Sequence, residues 1–314
     1  MASKGLIKLS YVDLDYKGNV VLSHLEELLK SNNRSFVSLM HANNELGTLM
    51  PIEEVSRICR KYGAYFHSDT VQTMGHYTFN LQELDIDFLT CAAHKFHGPK
   101  GVGFTYINKS TKIKSFISGG PQERGMRAGT ESVHNIVGMT KALVIADQNM
   151  EKEAEYVRSI KIKMIDGLKS LFPDIHFNGD SGDMHKSTYT VLNVCFPILN
   201  EKASMLDFHL DLKGIACSKG SACQSGSSQG SHVLNEIQSN DQKKFPSVRF
   251  SFSHNNKMDD VDYLIETLKE FKNILLGQKI NVYTDHKNLT YKTHNSARVM
   301  RWRLLIEEFG PELH

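Results

Sequence analysis

Between residues 36 and 107 short apolar runs alternate with an amphipathic stretch and polar turns, and no other feature restricts the fold as much. FVSLM (36–40), AYFHS (64–68), IDFLTC (86–91) and GVGFTYI (101–107) have the length and apolar content of buried strands. Between the first two, PIEEVSRICRKYG offers Pro51 at a helix start, Ile52, Val55, Ile58 and Cys59 on one helical face, and Gly63 as a stop. Strands that alternate with helices pack as a mainly parallel sheet covered by helices on both faces, so the expected class is α/β. From about 132 to 172 the pattern is helical. A strand YTVLNVCF (189–196), a helix near 201–212, the thiol-bearing GIACSKGSAC (214–223) and an alternating strand VRFSFS (248–253) follow. Met258, Val261, Leu264, Ile265 and Leu268 mark a last amphipathic helix. The expected organisation is a large α/β unit over 1–140, a smaller α+β unit over 141–276, and a distinct segment over 277–314.

Composition narrows the function. With 37 Lys and Arg against 35 Asp and Glu, the formal charge of +2 leaves no global electrostatic footprint for nucleic acid or a membrane surface. No apolar run approaches the length of a membrane span, and the opening MASKGLIKLSY lacks a secretory apolar segment, so a cytoplasmic protein is expected. The cysteines number five, an odd and widely spaced set that does not build a disulfide framework, and reduced thiols follow.

Open α/β sheets bind ligands beyond the carboxyl ends of their strands, and those ends carry the chemistry here. HANNELG (41–47), HSDTVQ (67–72) and AAHK (92–95) follow the first three strands, and GGPQERGMRAGT (119–130) comes after the fourth. Taken singly, each has an ordinary reading: a His-Lys pair is a solvated charge, an Asp after a strand is a cap, an Asn-Asn pair is a turn. Together they describe one pocket. A lysine amine near an aspartate, a glutamine and an asparagine is what a pyridoxal cofactor requires: an amine for its aldehyde, an anion for its protonated ring nitrogen, and donors for its phenolate oxygen.

The ordered motifs NNELGT, HSDTVQ, HKFHGPKGVG, QERGMRAGTE and SKGSACQSG resemble those of the cysteine desulfurases, pyridoxal-phosphate enzymes of the class V aminotransferase family and fold type I. The resemblance runs from about residue 10 to about residue 275 and implies a partial cofactor-binding domain followed by the small domain. It implies that Lys95 carries pyridoxal 5'-phosphate as an aldimine, that Asp69 pairs with the ring nitrogen, and that Gln72 and Asn43 bond near the phenolate oxygen. His94 lies beside Lys95 among the cofactor-lining residues, although the family's ring-stacking histidine is a different one. Thr130 matches a residue that reaches a cofactor phosphate across a homodimer interface. Arg249 in SVRFS would bind the substrate carboxylate, a task suited to a planar bidentate donor, with Asn43 close to the substrate. The implied reaction takes L-cysteine to L-alanine, leaves a persulfide on Cys223, and passes the sulfur to an acceptor protein for iron-sulfur or thio-cofactor assembly.

Chemistry decides the reacting thiol only in part: Cys223 has small flexible neighbours and Lys219 nearby, Cys217 is its rival, and the resemblance puts Cys223 at the family's persulfide-forming position. Cys59 and Cys195 fall in apolar patterns and are expected in the core, while Cys91 ends a strand beside the pocket. No metal site is expected.

Two departures from the family shape the expectation. The family's early strand and helix, its phosphate-cradling turn and its ring-stacking histidine have no counterpart, and the serine usually three places before the lysine is Ala92. Weak cofactor retention and poor activity are therefore expected. The last segment, KINVYTDHKNLTYKTHNSARVMRWRLLIEEFGPELH, resembles part of a retrotransposon ribonuclease H domain, in which the aspartate corresponding to Asp285 is one of several metal ligands. Asp285 by itself cannot build a two-metal site, so no nuclease activity is expected. Arg298, Arg301 and Arg303 offer at most weak nonspecific contact with nucleic acid. The alternatives are a non-catalytic truncated fusion product and another class V enzyme such as a selenocysteine lyase. An acceptor thiol paired with Arg249 separates a desulfurase from a transaminase.

Overall fold

The computed structural model describes residues 4–32, 34–198, 206–219 and 231–275. Two sheets organise the chain, and a 39-residue helix runs between them. The first sheet contains β1 (Phe36–Met40), β2 (Tyr65–Asp69), β3 (Phe88–Ala92) and β4 (Gly103–Ile107), in that order. The strands β1, β2 and β3 are parallel, with Met40 opposite Asp69 and Asp69 opposite Thr90, and β4 turns back antiparallel on β3. A mainly parallel sheet is thus observed, and the antiparallel edge follows from the short connection between β3 and β4, since only a crossover can return a strand in parallel.

Strand alternation decides which face is covered. Val37, Phe66 and Leu89 point to one face and are buried there against α1 (Leu22–Lys30) and α2 (Ile52–Lys61). In α2, Ile52, Val55 and Cys59 face the sheet, acidic Glu53 and Glu54 sit in the first turn and basic Arg60 and Lys61 in the last, each matching the helix dipole. The opposite face is not covered by helices among the described residues. Phe36 is 60% and Tyr65 48% exposed, which differs from the expected covering of both faces. This face is held instead by a polar ladder in which Ser38 Oγ meets His67 Nδ1 at 2.8 Å and His67 Nε2 meets Thr90 Oγ1 at 3.2 Å.

The long helix α3 (Val133–Leu171) changes character along its length. Its first half packs Met139, Ala142, Leu143 and Ala146 against Phe96 and Phe104, while its second half buries Val157, Ile160, Met164 and Leu168 in the core of the second unit. The second sheet, β5 (His176–Phe177), β6 (Val191–Cys195) and β7 (Ser247–Ser251), is antiparallel throughout. Every residue of β6 is buried, including Asn193, whose Nδ2 donates to the Glu45 carbonyl at 2.9 Å. Around it pack α4 (Leu206–Leu212) and α6 (Met258–Leu275), and α5 (His232–Ile237) lies between the last two strands in sequence.

A buried lysine ties α3 to the segment at Ser187 and Thr188. Lys161 of α3 is fully buried, and its Nζ donates to Ser187 Oγ and to the Thr188 carbonyl, each at 2.8 Å. Burial pulls this amine down to about 7, with the Asp183 charge opposing. The segment it holds reaches the Asn43–Thr48 loop: Thr188 N–H donates to the Gly47 carbonyl at 2.8 Å and Leu49 N–H to the Lys186 carbonyl at 2.9 Å. The sign of the linkage is fixed by the unfolded amine, which keeps its proton to about 10.4. Between the two values the unfolded chain binds more protons, so stability rises with pH; below about 7 both states are protonated and the dependence is flat. Urea midpoints measured at about pH 6.5, 7.5 and 8.5 will show a rise above 7 of at most about 1.4 kcal/mol per pH unit, absent in Lys161→Met. Equal slopes in the two proteins would show that Lys161 keeps its charge.

Candidate active site

Three parallel strand ends deliver the predicted residues to one edge. Asp69 is the last residue of the central β2; Asn43 follows β1 by three positions, and Lys95 follows β3 by three. The edges are joined directly, His41 N–H donating to the Asp69 carbonyl and Thr70 N–H to the Thr90 carbonyl, both at 2.9 Å. Lys95 lies in a 3-10 turn, Ala93–Phe96, in which Ala93 and Phe96 are buried while His94 and Lys95 are exposed. The turn is closed by His97 in the left-handed region (φ 63°) and by the Gly98 N–H on the Ala93 carbonyl at 2.8 Å.

Local hydrogen bonds fix which atoms stay available. Asn43 Oδ1 accepts from the backbone N–H of Glu45 and of Leu46, both at 2.9 Å, so its Nδ2 is left as a donor with a weak contact to Met40 Sδ at 3.6 Å. Asp69 Oδ1 accepts from Val71 N–H at 2.9 Å, capping the turn that carries half-buried Gln72. Gly47 is required where it stands: its φ is +76°, and a Cβ would lie 3.3 Å from both Thr188 and Val191.

Arg249 reaches this edge from the second unit. Its backbone pairs with Ser218 in both directions, at 2.7 and 3.1 Å, and its Nη1 donates to the Asn44 carbonyl at 2.8 Å. Burial lowers its pKa from the ordinary value and the Glu45 charge opposes that shift. Glu45 is fully buried, and its Oε2 accepts from Ser231 Oγ at 2.5 Å. Glu45 Oε1 and Arg249 Nε, both buried, have no hydrogen-bond partner among the described residues.

The remaining predicted residues divide. Thr130 is exposed just before α3. Cys223, Asp285, Arg298, Arg301 and Arg303 lie outside the described residues. The flanks of the Cys223 segment are described: Ser218, bridged to Arg249 of β7, at one end, and Ser231, the N-cap of α5, at the other. Cys217, the rival thiol, is half-buried, and burial first, then Asp207 and Asp211, push it up to about 12, which leaves it protonated at neutral pH. Cys59 and Cys195 are core residues as expected, and Cys91 is buried at the end of β3.

The donor set suits the cofactor expected from the sequence. An exposed amine, a carboxylate with one oxygen free of backbone bonds and an amide oriented as a donor match an aldehyde, a ring nitrogen and a phenolate oxygen. Among the described residues, no group of three or more His, Cys, Asp or Glu side chains is placed to hold a metal, and no helix is long and apolar enough to cross a membrane.

Sequence reasoning missed the residues behind this edge. Glu45 and Lys161 are polar residues at buried positions, and His76 and Tyr189 join the Lys95 turn to the second unit. The available signal for Glu45 was its place inside NNELGT; Lys161 shows as a lysine on the apolar stripe between Val157, Ile160 and Met164.

The aminotransferase class-V family model matches residues 1–264, and the model of the RNase H-like domain found in reverse transcriptase matches residues 263–309. The chain is 39% identical over 262 residues to the cysteine desulfurase IscS of Dictyoglomus turgidum, covering 83% of this chain and 65% of the relative. It is 37% identical over 261 residues to a cysteine desulfurase of Sinorhizobium fredii, covering 83% and 66%. Among solved structures, a NifS-like protein superposes with a TM-score of 0.75 at 35% identity, covering 87% of this chain and 70% of that one. The NifS-like protein from Rickettsia africae gives 0.73 at 30% identity, covering 83% and 69%. The chain thus spans about two thirds of the length of these relatives.

Proposed function

The chain belongs to the aminotransferase class-V family, and from that premise we propose that it is a pyridoxal-phosphate-dependent cysteine desulfurase. The observation that carries the reading is convergence: Asp69 ends the central strand, Asn43 and Lys95 follow its two parallel neighbours by three residues each, and Arg249 is tied to the Asn43 loop through the Asn44 carbonyl at 2.8 Å. When bound, the cofactor supplies an electron sink for the pair left on the substrate's Cα. Lys95 provides the amine that holds it and, once displaced, moves the Cα proton. Asp69 keeps the ring nitrogen protonated, and the Asn43 and Gln72 amides donate to the phenolate oxygen. Arg249 binds the substrate carboxylate and orients the thiol side chain. The Cys223 thiolate takes the substrate sulfur as the carbon-sulfur bond breaks; the electron pair passes to carbon and is protonated. Cysteine plus thiol becomes alanine plus persulfide, so no external oxidant is needed.

A homodimer, an acceptor protein for the sulfur and a cytoplasmic site complete the proposal. The dimer is supported by the exposed apolar side chains of Val133, Val137 and Val144 along α3. Ala92 favours a second reading, a non-catalytic fusion product that holds the cofactor weakly, because an alanine has no hydroxyl to give a phosphate. Incubation with excess pyridoxal phosphate and L-cysteine separates the two: release of alanine matched by persulfide supports the desulfurase, and cofactor loading without alanine supports the second reading. Within the first, Arg249→Ala will raise KM for cysteine about 100-fold with a small effect on cofactor affinity, and Arg249→Lys will not restore it, because a single ammonium cannot bind a carboxylate in bidentate fashion. Steady-state kinetics across the three proteins will check this.

A further inference from the structure

The Lys95 turn is braced from behind by a residue that neither the motifs nor the family match assigns. His76 Nε2 lies 3.1 Å from the Lys95 carbonyl oxygen. A carbonyl only accepts, so Nε2 carries the proton, and in the neutral imidazole Nδ1 is then the lone-pair nitrogen. Burial lowers the pKa of His76, which favours that neutral form. Tyr189, just before β6 in the second unit, donates its hydroxyl to the His76 carbonyl at 3.1 Å and lies 3.4 Å from His76 Nδ1. The tyrosine is itself fixed: it is 3% exposed, packs against Tyr77 at 5.6 Å between ring centroids, and carries the Arg158 guanidinium 5.3 Å above its ring. The preceding Gly75 is pressed onto the same turn, since a Cβ there would meet Phe96 Cβ at 2.7 Å. Behind the turn lies a cavity of about 470 Å³ lined by His76, Phe96, His97, Glu153 and His254, with Ala142 and Ala146 of α3 packed on the Phe96 side chain beside it.

We propose that His76 is a positioning residue for Lys95: its Nε2–H on the Lys95 carbonyl, buttressed by Tyr189, sets the direction in which the amine leaves the turn and couples that direction to the packing of the second unit. The inference rests on the reading of Lys95 as the cofactor-binding amine. A turn closed by left-handed His97 is short and has few internal hydrogen bonds, so an external donor on its carbonyl restricts the backbone that carries the amine. Loss of that donor leaves the carbonyl behind a cavity and frees the turn to rotate.

The test compares the parent chain with His76→Leu, His76→Gln and Tyr189→Phe. Two quantities are read: the pyridoxal phosphate concentration that half-saturates lysine-bound absorbance, and amide hydrogen exchange in peptides spanning residues 93–98 without cofactor. His76→Leu will weaken binding about tenfold and speed exchange by a similar factor. His76→Gln, which keeps a side-chain N–H donor, will recover most of both, and Tyr189→Phe, which loses only the buttressing hydroxyl, will fall between them. Parent-like binding and exchange in His76→Leu would overturn the proposal, as would a failure of glutamine to rescue either quantity. Should His76→Leu not fold, Tyr189→Phe decides, because parent-like values there contradict the buttress. If the parent shows no lysine-bound absorbance, the proposed function fails, and the exchange measurement still decides whether His76 braces the turn.

Discussion

Lys95→Ala will lose the lysine-bound cofactor absorbance completely and reduce alanine release from L-cysteine by about 10³-fold or more, while the protein stays folded. The expectation follows from two properties of the position. The side chain is exposed on a turn whose hydrophobic neighbours Ala93 and Phe96 are buried, so its removal leaves the core intact. The amine is also the group asked both to bond the aldehyde and to carry a proton, and each of those contributions is typically worth orders of magnitude. A surface lysine at the same place predicts a change of about threefold at most. Lys95→Arg keeps the charge and gives no nucleophilic amine, so it will behave like the alanine variant; parent-like activity in either variant would end the account.

Cys223→Ser will abolish persulfide formation and lower turnover about 10³-fold, with cofactor binding unchanged, whereas Cys217→Ser will change turnover less than about twofold. The contrast rests on Cys217. Burial and the carboxylates of Asp207 and Asp211 push that thiol up to about 12, so at neutral pH about one molecule in ten thousand or fewer carries the nucleophilic thiolate. Its backbone also leads directly into the Ser218–Arg249 pairing, which holds it in the second sheet. Alkylation followed by peptide mapping, with turnover measured on each variant, reads both thiols in one experiment. Modification of Cys217 before Cys223 would reverse the assignment.

The α/β class and the first strand were legible because their signal is local. FVSLM matches β1 residue for residue, and β2 and β3 differ from expectation by one or two positions at their ends, where the last paired residue depends on a neighbour. What could not be read was relational. The direction of β4 and the exposure of Phe36 and Tyr65 depend on what packs beside a strand, and a period-2 pattern carries no such information. The helix α1 and the two-residue β5 carry no motif and were not expected. In the site, the strand-end polar residues were visible as a set, because Asp, Asn and Lys after apolar runs stand out by type. Their supports were not. Glu45, His76, Lys161 and Tyr189 look like ordinary surface or core residues until the Asn43–Thr48 loop and the Lys95 turn are seen stitched to the second unit.

The central claim is that one amine, at position 95, captures an aldehyde cofactor at the carboxyl edge of the first sheet. Borohydride reduction of the chain saturated with pyridoxal phosphate, followed by digestion and mass spectrometry, tests it most directly. The account predicts one reduced phosphopyridoxyl group per chain, on the peptide containing His94, Lys95 and Phe96, and none in Lys95→Ala. A label spread over several surface lysines, or confined to a lysine other than Lys95, would contradict it.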